Sequence, residues 1–347
     1  MCTFFGYPCD RLLGARNMDI DRDFGASFAL MQRDYRFPYK DTSAEKISDK
    51  RASAGTKYAV FGIATVFNET PLYAEAMNEH GLMMASLNYP EAATYQERQS
   101  EALNLAPYEV IPFVLSRFNS VAEVLPELKR LSILAEPFAP GLPLAPLHYI
   151  LCDEENCIVL EADIDGLHIY ENPWQTLTNN PSFPEQLNGL QTLALLQDEN
   201  PQTPWFAKSL KNIPESQLSH RSYRNYPLGQ GFGTLGLPGD LTPAGRFQRA
   251  VFYREMSLKN LEAGGDFAVV QAFHILEAVS MPRGAIRTDA SHYDETLYSA
   301  VLDTEHFAYY LRLYELPQIS CCRADHLGEL DGDKTLSLEF PSRAIFA

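Results

Sequence analysis

Apolar and polar positions along this chain change rhythm several times, and the changes mark its elements. Residues 2–8 and 12–18 are apolar-rich runs around Pro8-Cys9-Asp10-Arg11, the pattern of a hairpin that folds Arg16 and Asp19 back beside the N-terminus. Residues 26–33 read as a further strand. From 39 to 57 the chain is polar and charged, which predicts an exposed loop or long hairpin and not a linker between domains. Residues 58–67 are dense in β-branched and aromatic side chains and read as a buried strand. Two more strands, 72–77 and 82–87, are parted by Asn78-Glu79-His80-Gly81, a turn with glycine where φ > 0 is expected.

The period then lengthens. Pro107 opens a segment in which Val110, Ile111, Val114 and Leu115 recur at helical spacing. Ser120-Val121-Ala122-Glu123 has the form of a capping box and starts a second helix through Leu131. A proline-rich loop, 136–146, closes this layer. Strands return at 147–152, 157–162 and 166–170. A helix is expected within 181–196, a Gly- and Pro-rich stretch covers 220–245, and two amphipathic helices cover 245–261 and 266–279. Strands at 295–302, 307–314 and near 335–340 end the chain. This order lacks the βαβ alternation of a doubly wound parallel sheet. It predicts antiparallel sheets covered by helices, here in a single domain spanning 1–347.

Composition narrows the function. With 46% hydrophobic and 21% charged residues the chain can bury a large core. A net charge of −17 argues against nucleic acid or anionic membrane as partner, and requires a local Arg or Lys for any anionic substrate. No apolar run is long enough to span a membrane, and the N-terminus lacks the charged and apolar regions of a secretory signal, so a cytoplasmic protein is expected. Cys2, Cys9, Cys152, Cys157, Cys321 and Cys322 show no metal-ligand spacing and are expected to be free thiols of a reducing compartment. Gly229-Gln230-Gly231-Phe232-Gly233 lacks the Gly-Lys-Ser/Thr ending of a phosphate loop. Neither metal nor cofactor is expected.

The candidate chemistry begins at the second residue. If Met1 is removed, Cys2 carries a thiol and a free α-amine, two groups whose reference pKa values, about 8.5 and about 7.7–8.0, lie near neutrality. A guanidinium such as Arg16 favours the thiolate, the reactive form, and a carboxylate such as Asp19 can hold the amine. Further along, Asn88 ends a strand in Leu87-Asn88-Tyr89-Pro90, Asn179 ends another in Leu177-Thr178-Asn179-Asn180-Pro181, and Arg246 starts a helix. Taken singly, each is an ordinary strand-end or helix-end residue.

Taken in order, these stretches resemble the choloylglycine hydrolase family, which includes bile salt hydrolases and penicillin V acylases. The match runs from Met1-Cys2-Thr3 and Ala15-Arg16-Asn17-Met18-Asp19 through Asn78-Glu79-His80-Gly81-Leu82, Ser86-Leu87-Asn88-Tyr89-Pro90 and Pro146-Leu147-His148. It continues with Leu177 to Pro181, Gly229 to Asp240, Arg246-Phe247 and the Tyr298-Ser299 and Tyr309-Tyr310 strands. The resemblance implies an α+β fold, the N-terminal nucleophile (Ntn) hydrolase αββα sandwich. It implies hydrolysis of a linear amide in a small amphipathic acyl-amide substrate, with Cys2 as nucleophile and its own amine as proton shuttle. Asn179 and the backbone N–H of Asn88 would hold the oxyanion, Asp19 would anchor the amine, and Arg16 and Arg246 would supply positive field. Met18, Ile20 and Phe24 are expected pocket walls, and tetramers are frequent in the family.

Asn88 stands where bile salt hydrolases tend to carry Asn and penicillin V acylases often Tyr, which favours conjugated bile salts. Gly229 to Gly233 and Pro146-Leu147-His148-Tyr149 look at least as much like the acylase branch. Pro184-Glu185 after Phe183, where the family usually has Asp, and the small Ile20 also depart from the pattern. Penicillin V and N-acyl homoserine lactones are the alternative substrates. A non-catalytic binding protein on this scaffold would be expected to lose one of Cys2, Arg16, Asp19, Asn179 or Arg246, and none is lost.

Overall fold

The computed structural model describes residues 1–40, 55–200, 230–260, 266–289 and 291–341. The strands are β1 (Cys2–Pro8), β2 (Leu12–Ile20), β3 (Ala26–Met31), β4 (Val60–Phe67), β5 (Thr70–Asn78), β6 (Met83–Asn88), β7 (Leu103–Leu105), β8 (Leu131–Ile133), β9 (Leu147–Cys152), β10 (Cys157–Asp163), β11 (Gly166–Glu171), β12 (Thr176–Leu177), β13 (Ile286–Arg287), β14 (Tyr293–Asp303), β15 (Ala308–Leu313), β16 (Leu316–Arg323) and β17 (Thr335–Glu339). The α-helices are α1 (Val110–Arg117), α2 (Val121–Leu128), α3 (Phe183–Gly189), α4 (Pro243–Asn260) and α5 (Asp266–Ala278).

The first sheet has the order β12-β1-β2-β14-β15-β16, with β13 on β14; the second has the order β11-β10-β9-β6-β5-β4-β3-β17. Every pairing in both is antiparallel. Side-chain alternation on β1 shows how the layers stack. Phe4 lies in the core between the sheets with Phe28, Phe61 and Ala300. Its neighbour Phe5 lies on the other face, under α5, with Ala272 and Leu276. A third core packs Met84, Tyr149 and Leu160 of the second sheet against Val110, Val114 and Val124 of α1 and α2. The layering is helix, sheet, sheet, helix, as the resemblance implied.

Local chemistry sets several boundaries. Ser120 Oγ accepts from the Glu123 N–H, capping α2. Asn78 Oδ1 accepts from the N–H groups of His80 and Leu82, and Gly81 sits at φ 84°. The helix expected through Leu131 stops at Leu128 instead. Leu131–Ile133 forms the parallel β7–β8 pair, which the sequence did not signal. β16 was also unanticipated: it is an edge strand with most side chains exposed, so no buried face marks it. Cys152 and Cys157 correct the expectation of free thiols. They face each other across the β9–β10 hairpin with Cα atoms 4.1 Å apart and are disulfide-bonded. The four-residue turn between them brings the two strand ends into register. Of the polar stretch 39–57, residues 41–54 lie outside the described residues, as do 220–229 of the Gly- and Pro-rich stretch, Gly229 included.

Candidate active site

The β1–β2 hairpin sorts the site onto two faces of one sheet. Opposed residues of an antiparallel pair share a face. Cys2 opposes Met18 and Phe4 opposes Arg16, so these four point between the sheets. Thr3 opposes Asn17, and Asn17 Nδ2 donates to Leu276 O of α5, which puts Thr3, Asn17 and Asp19 on the helix side. The thiol and the carboxylate of Asp19 are therefore separated by the thickness of the strand, with the Cys2 backbone between them.

On the inner face, Arg16 Nη2 donates to Cys2 Sγ at 3.2 Å, and Met18 Sδ lies 3.8 Å from the same sulfur. Arg16 Nη1 donates to Ala74 O at 2.9 Å, and its Nε stands 3.2 Å from Glu75 Oε2. Tyr298 Oη donates to both Glu75 oxygens, at 3.0 and 3.2 Å. Burial pulls against the Arg16 charge, but Cys2 and Glu75 on either side hold the guanidinium protonated above its ordinary range. Burial pushes the Glu75 carboxyl up to about 7, against the pull of Arg16 and the Tyr298 hydrogen bond.

On the helix face, Arg246 from the first turn of α4 donates through Nη1 to Cys2 O (2.7 Å) and Thr3 Oγ1 (2.6 Å), and through Nη2 to Asn179 Oδ1 (2.8 Å). Its Nη1 lies 3.6 Å from Asp19 Oδ2. Asp19 Oδ1 accepts from Thr296 Oγ1, while Oδ2 is buried without a hydrogen bond. Burial raises the Asp19 pKa, opposed by Arg246, and lowers that of Arg246, opposed by Asp19. Met1 precedes Cys2. Its ammonium donates to the Asp19 carbonyl and lies 3.6 Å from Asp294 Oδ2. The Cys2 nitrogen is thus an amide, and its one hydrogen goes to Asn179 Oδ1 at 2.8 Å.

Asn179 is held from behind. Gln186 of α3 donates to its carbonyl at 2.6 Å, and Thr178 Oγ1 donates to Gln186 Oε1. His148, stacked on Tyr89, bridges Thr178 O and Glu161, which also accepts from the Phe183 N–H. In front, Asn179 Nδ2 donates to Asn88 O at 2.7 Å and keeps a second hydrogen. Tyr89 N donates to Pro146 O, next to the Asn88–Leu147 pair, so that pair is of the non-hydrogen-bonded kind. The N–H and C=O of Asn88 therefore both point away from β9, toward Asn179.

Of the residues singled out in the sequence, Cys2, Arg16, Asp19, Asn179 and Arg246 form one buried cluster, with Asn88 at its edge and Met18 against the thiol. Ile20 is half-buried and pairs with Glu295, and Phe24 stands exposed in the β2–β3 turn. Glu75, Tyr298, Thr296 and Asp294 were not foreseen. Glu75 had a signal: a carboxylate inside the apolar β5 run is out of character for a buried strand. Among the described residues one group, Asp21, Asp289 and His292, brings three potential metal-ligand atoms within 4.8 Å. It lies toward the surface, and Asp289 already accepts from Ser291 and His292.

Residues 8–336 match the family described as linear amide C–N hydrolases, choloylglycine hydrolase family. The chain belongs to this family. It is 33% identical to the bile salt hydrolase/transferase of Lactiplantibacillus plantarum, over 100% of this chain and 99% of the relative. It is also 33% identical to the bile salt hydrolase/transferase of Clostridium perfringens, over 94% and 93%. A crystal structure of a variant of the conjugated bile acid hydrolase from Clostridium perfringens matches with a TM-score of 0.83 at 32% identity, covering 98% of this chain and 97% of that one. Penicillin V acylase from Agrobacterium tumefaciens, at 20% identity and a TM-score of 0.69, covering 99% and 93%, shares the fold. This choloylglycine hydrolase family member is an amide hydrolase, and among its described residues no helix is long and apolar enough to cross a membrane.

Proposed function

We propose that the enzyme hydrolyses the amide of glycine- and taurine-conjugated bile salts, with Cys2 as nucleophile after loss of Met1. The observation that carries the mechanism is Arg16 Nη2 donating to the Cys2 sulfur inside a buried cluster that also holds Arg246. The substrate class rests on the bile salt hydrolases that this chain resembles over its whole length.

Loss of Met1 gives the Cys2 nitrogen hydrogens that the amide lacks, and Asp19 Oδ2, 3.6 Å from Arg246 and buried without a hydrogen bond, is an acceptor for one. The freed amine then takes the thiol proton and passes it to the leaving amine. The thiolate attacks the acyl carbonyl. The second Asn179 Nδ2 hydrogen and the Asn88 N–H face the developing oxyanion, donors typically worth about 3–4 kcal/mol each. Water then hydrolyses the thioester. Burial raises the pKa of both nearby carboxyls, and Arg16 stands at hydrogen-bond distance from the sulfur, a neighbour that favours the reactive thiolate form.

The acyl group has an apolar platform. The starts of β3 and β9, the β4–β5 turn and the end of β6 share one end of the second sheet. Phe24 and Phe67, both at least half exposed, lie at that end. Phe138 packs edge-on against Phe67 at 5.6 Å. Exposed aromatic rings at the end of the sheet where β6 finishes at Asn88 suit an amphipathic acyl chain.

The test is hydrolysis by protein whose intact mass shows Met1 removed, offered glyco- and tauro-conjugated bile salts, penicillin V and long-chain N-acyl homoserine lactones. Release of glycine or taurine supports the proposal. Cleavage of penicillin V or the lactones alone moves the substrate to the acylase branch. Sedimentation of the same sample tests the tetramer proposed by family resemblance.

A further inference from the structure

Arg16 is held by the opposite sheet. β5 carries a bulge where Ile63 pairs with Glu75 and Ala64 with Tyr73, leaving Ala74 unpaired. A bulge releases a carbonyl from the ladder and re-aims it. Here the Ala74 carbonyl accepts from Arg16 Nη1 and from Ser86 Oγ. The next residue, Glu75, sends its carboxylate across the inter-sheet space to within 3.2 Å of Arg16 Nε, an ion pair without hydrogen-bond alignment. Tyr298 on β14 fixes both carboxylate oxygens, and Tyr309 Oη reaches the Glu75 carbonyl. Arg16, Glu75 and Tyr298 are all buried.

We propose that Glu75 is a positioning residue for the nucleophile: with the bulged Ala74 carbonyl it clamps two sides of the Arg16 guanidinium so that the third side serves Cys2. This rests on Cys2 being the nucleophile. The clamp also sets a competition. Glu75 and the Cys2 thiolate are two anions for one cation, and the other groups facing Glu75, Tyr298 and Tyr309, are phenols that burial keeps neutral. Burial pushes the Glu75 carboxyl up to about 7, so as pH rises through neutrality its charge returns and competes with the sulfur for the guanidinium.

The experiment uses protein whose mass shows loss of Met1. It follows the rate of Cys2 alkylation by iodoacetamide against pH, and kcat and KM on a glycine-conjugated bile salt. Glu75→Gln keeps the shape and removes the competing charge. Its alkylation curve is expected to move to lower pH, by about one unit. Glu75→Ala removes the clamp and is expected to lower kcat about 10- to 100-fold, with KM within about threefold. Tyr298→Phe, which loosens Glu75 without opening a cavity, should lower kcat by a smaller factor and carries the kinetic test should Glu75→Ala not fold. A folded Glu75→Gln whose alkylation curve overlays the wild type overturns the proposal, because a merely structural role predicts that overlay. Cys2→Ala separates the layers of the argument. Activity in that variant removes the nucleophile reading and the role of Glu75 with it; an inactive Cys2→Ala beside an unshifted Glu75→Gln removes only Glu75.

Discussion

The floor and the rim of the proposed active site invert the usual distribution of residues. The floor is polar and buried: Arg16 and Arg246 are 1% and 0% exposed and head the largest fully buried side chains of the described residues. The rim is apolar and exposed, with Phe24 at 58% and Phe67 at 50%. Buried arginines and exposed phenylalanines each carry a cost in stability. The floor uses that cost to hold a sulfur, a nitrogen and two amide donors in fixed geometry. The rim leaves apolar surface uncovered, which a substrate of the proposed class would cover. Chemistry and substrate choice should then respond to different mutations.

The largest effect is expected at the nucleophile. Cys2→Ala should lower turnover by more than about 10³-fold. Protein retaining Met1, verified by intact mass, should be equally inactive, because its Cys2 nitrogen is an amide already committed to Asn179. Turnover by the Met1-bearing form would sink the role of the free amine while leaving the thiol in place.

Asn179→Ala should come next, lowering kcat by about 10²- to 10³-fold. Asn179 also ties Cys2, Arg246 and Asn88 together, so the melting temperature must be recorded alongside. A drop expressed in KM at unchanged kcat would make Asn179 a substrate contact and not an oxyanion donor.

A smaller effect concerns stability. The Glu75 carboxyl is raised from 4.5 to about 7 in the folded protein. Its contribution is fully present below about 4.5, where both states are protonated, and is lost as pH rises through about 7. Glu75→Gln has no proton to lose. The melting temperature of the variant relative to wild type should therefore rise between pH 4.5 and 7 and level off above. Parallel curves across that window would mean that the Arg16 ion pair offsets the burial.

The same division decides what could be read from the sequence. The β1–β2 hairpin was legible because both strands are nearly continuous apolar runs about a tight turn, and it carries Cys2, Arg16 and Asp19. Asn179 and Arg246 were visible only as members of an ordered family pattern. Nothing in their local context distinguishes them from a turn former and a helix-end cation. Glu75 was not read at all, and Tyr298 only as part of a strand in the family pattern. Glu75 meets Arg16 only when the sheets stack, Tyr298 lies on the strand beside Arg16 and meets Glu75 only across that gap, and strand periodicity within one segment holds no information about which sheet will face it. β16 and the disulfide were missed for related reasons: an edge strand has no buried face to print on the sequence, and strand register decides which cysteines meet.

The rim should give the smallest effects and the sharpest test of the contrast. Phe24 stands in the β2–β3 turn, with its carbonyl accepting from Thr65 Oγ1, and Phe67 is braced by Phe138, which is itself packed against Tyr108. Truncating either ring removes apolar contact that only a bound acyl group would complete. At about 25 cal/mol per Å² of buried apolar surface, a partly covered ring corresponds to about a 3- to 10-fold change in KM. Phe24→Ala and Phe67→Ala should therefore raise KM for conjugated bile salts by that factor and leave kcat and the melting temperature nearly unchanged. Substrates with smaller acyl groups should be affected less, because they reach less of the rim. If kcat falls instead, the rings help to orient the scissile amide, and floor and rim do not divide chemistry from selection.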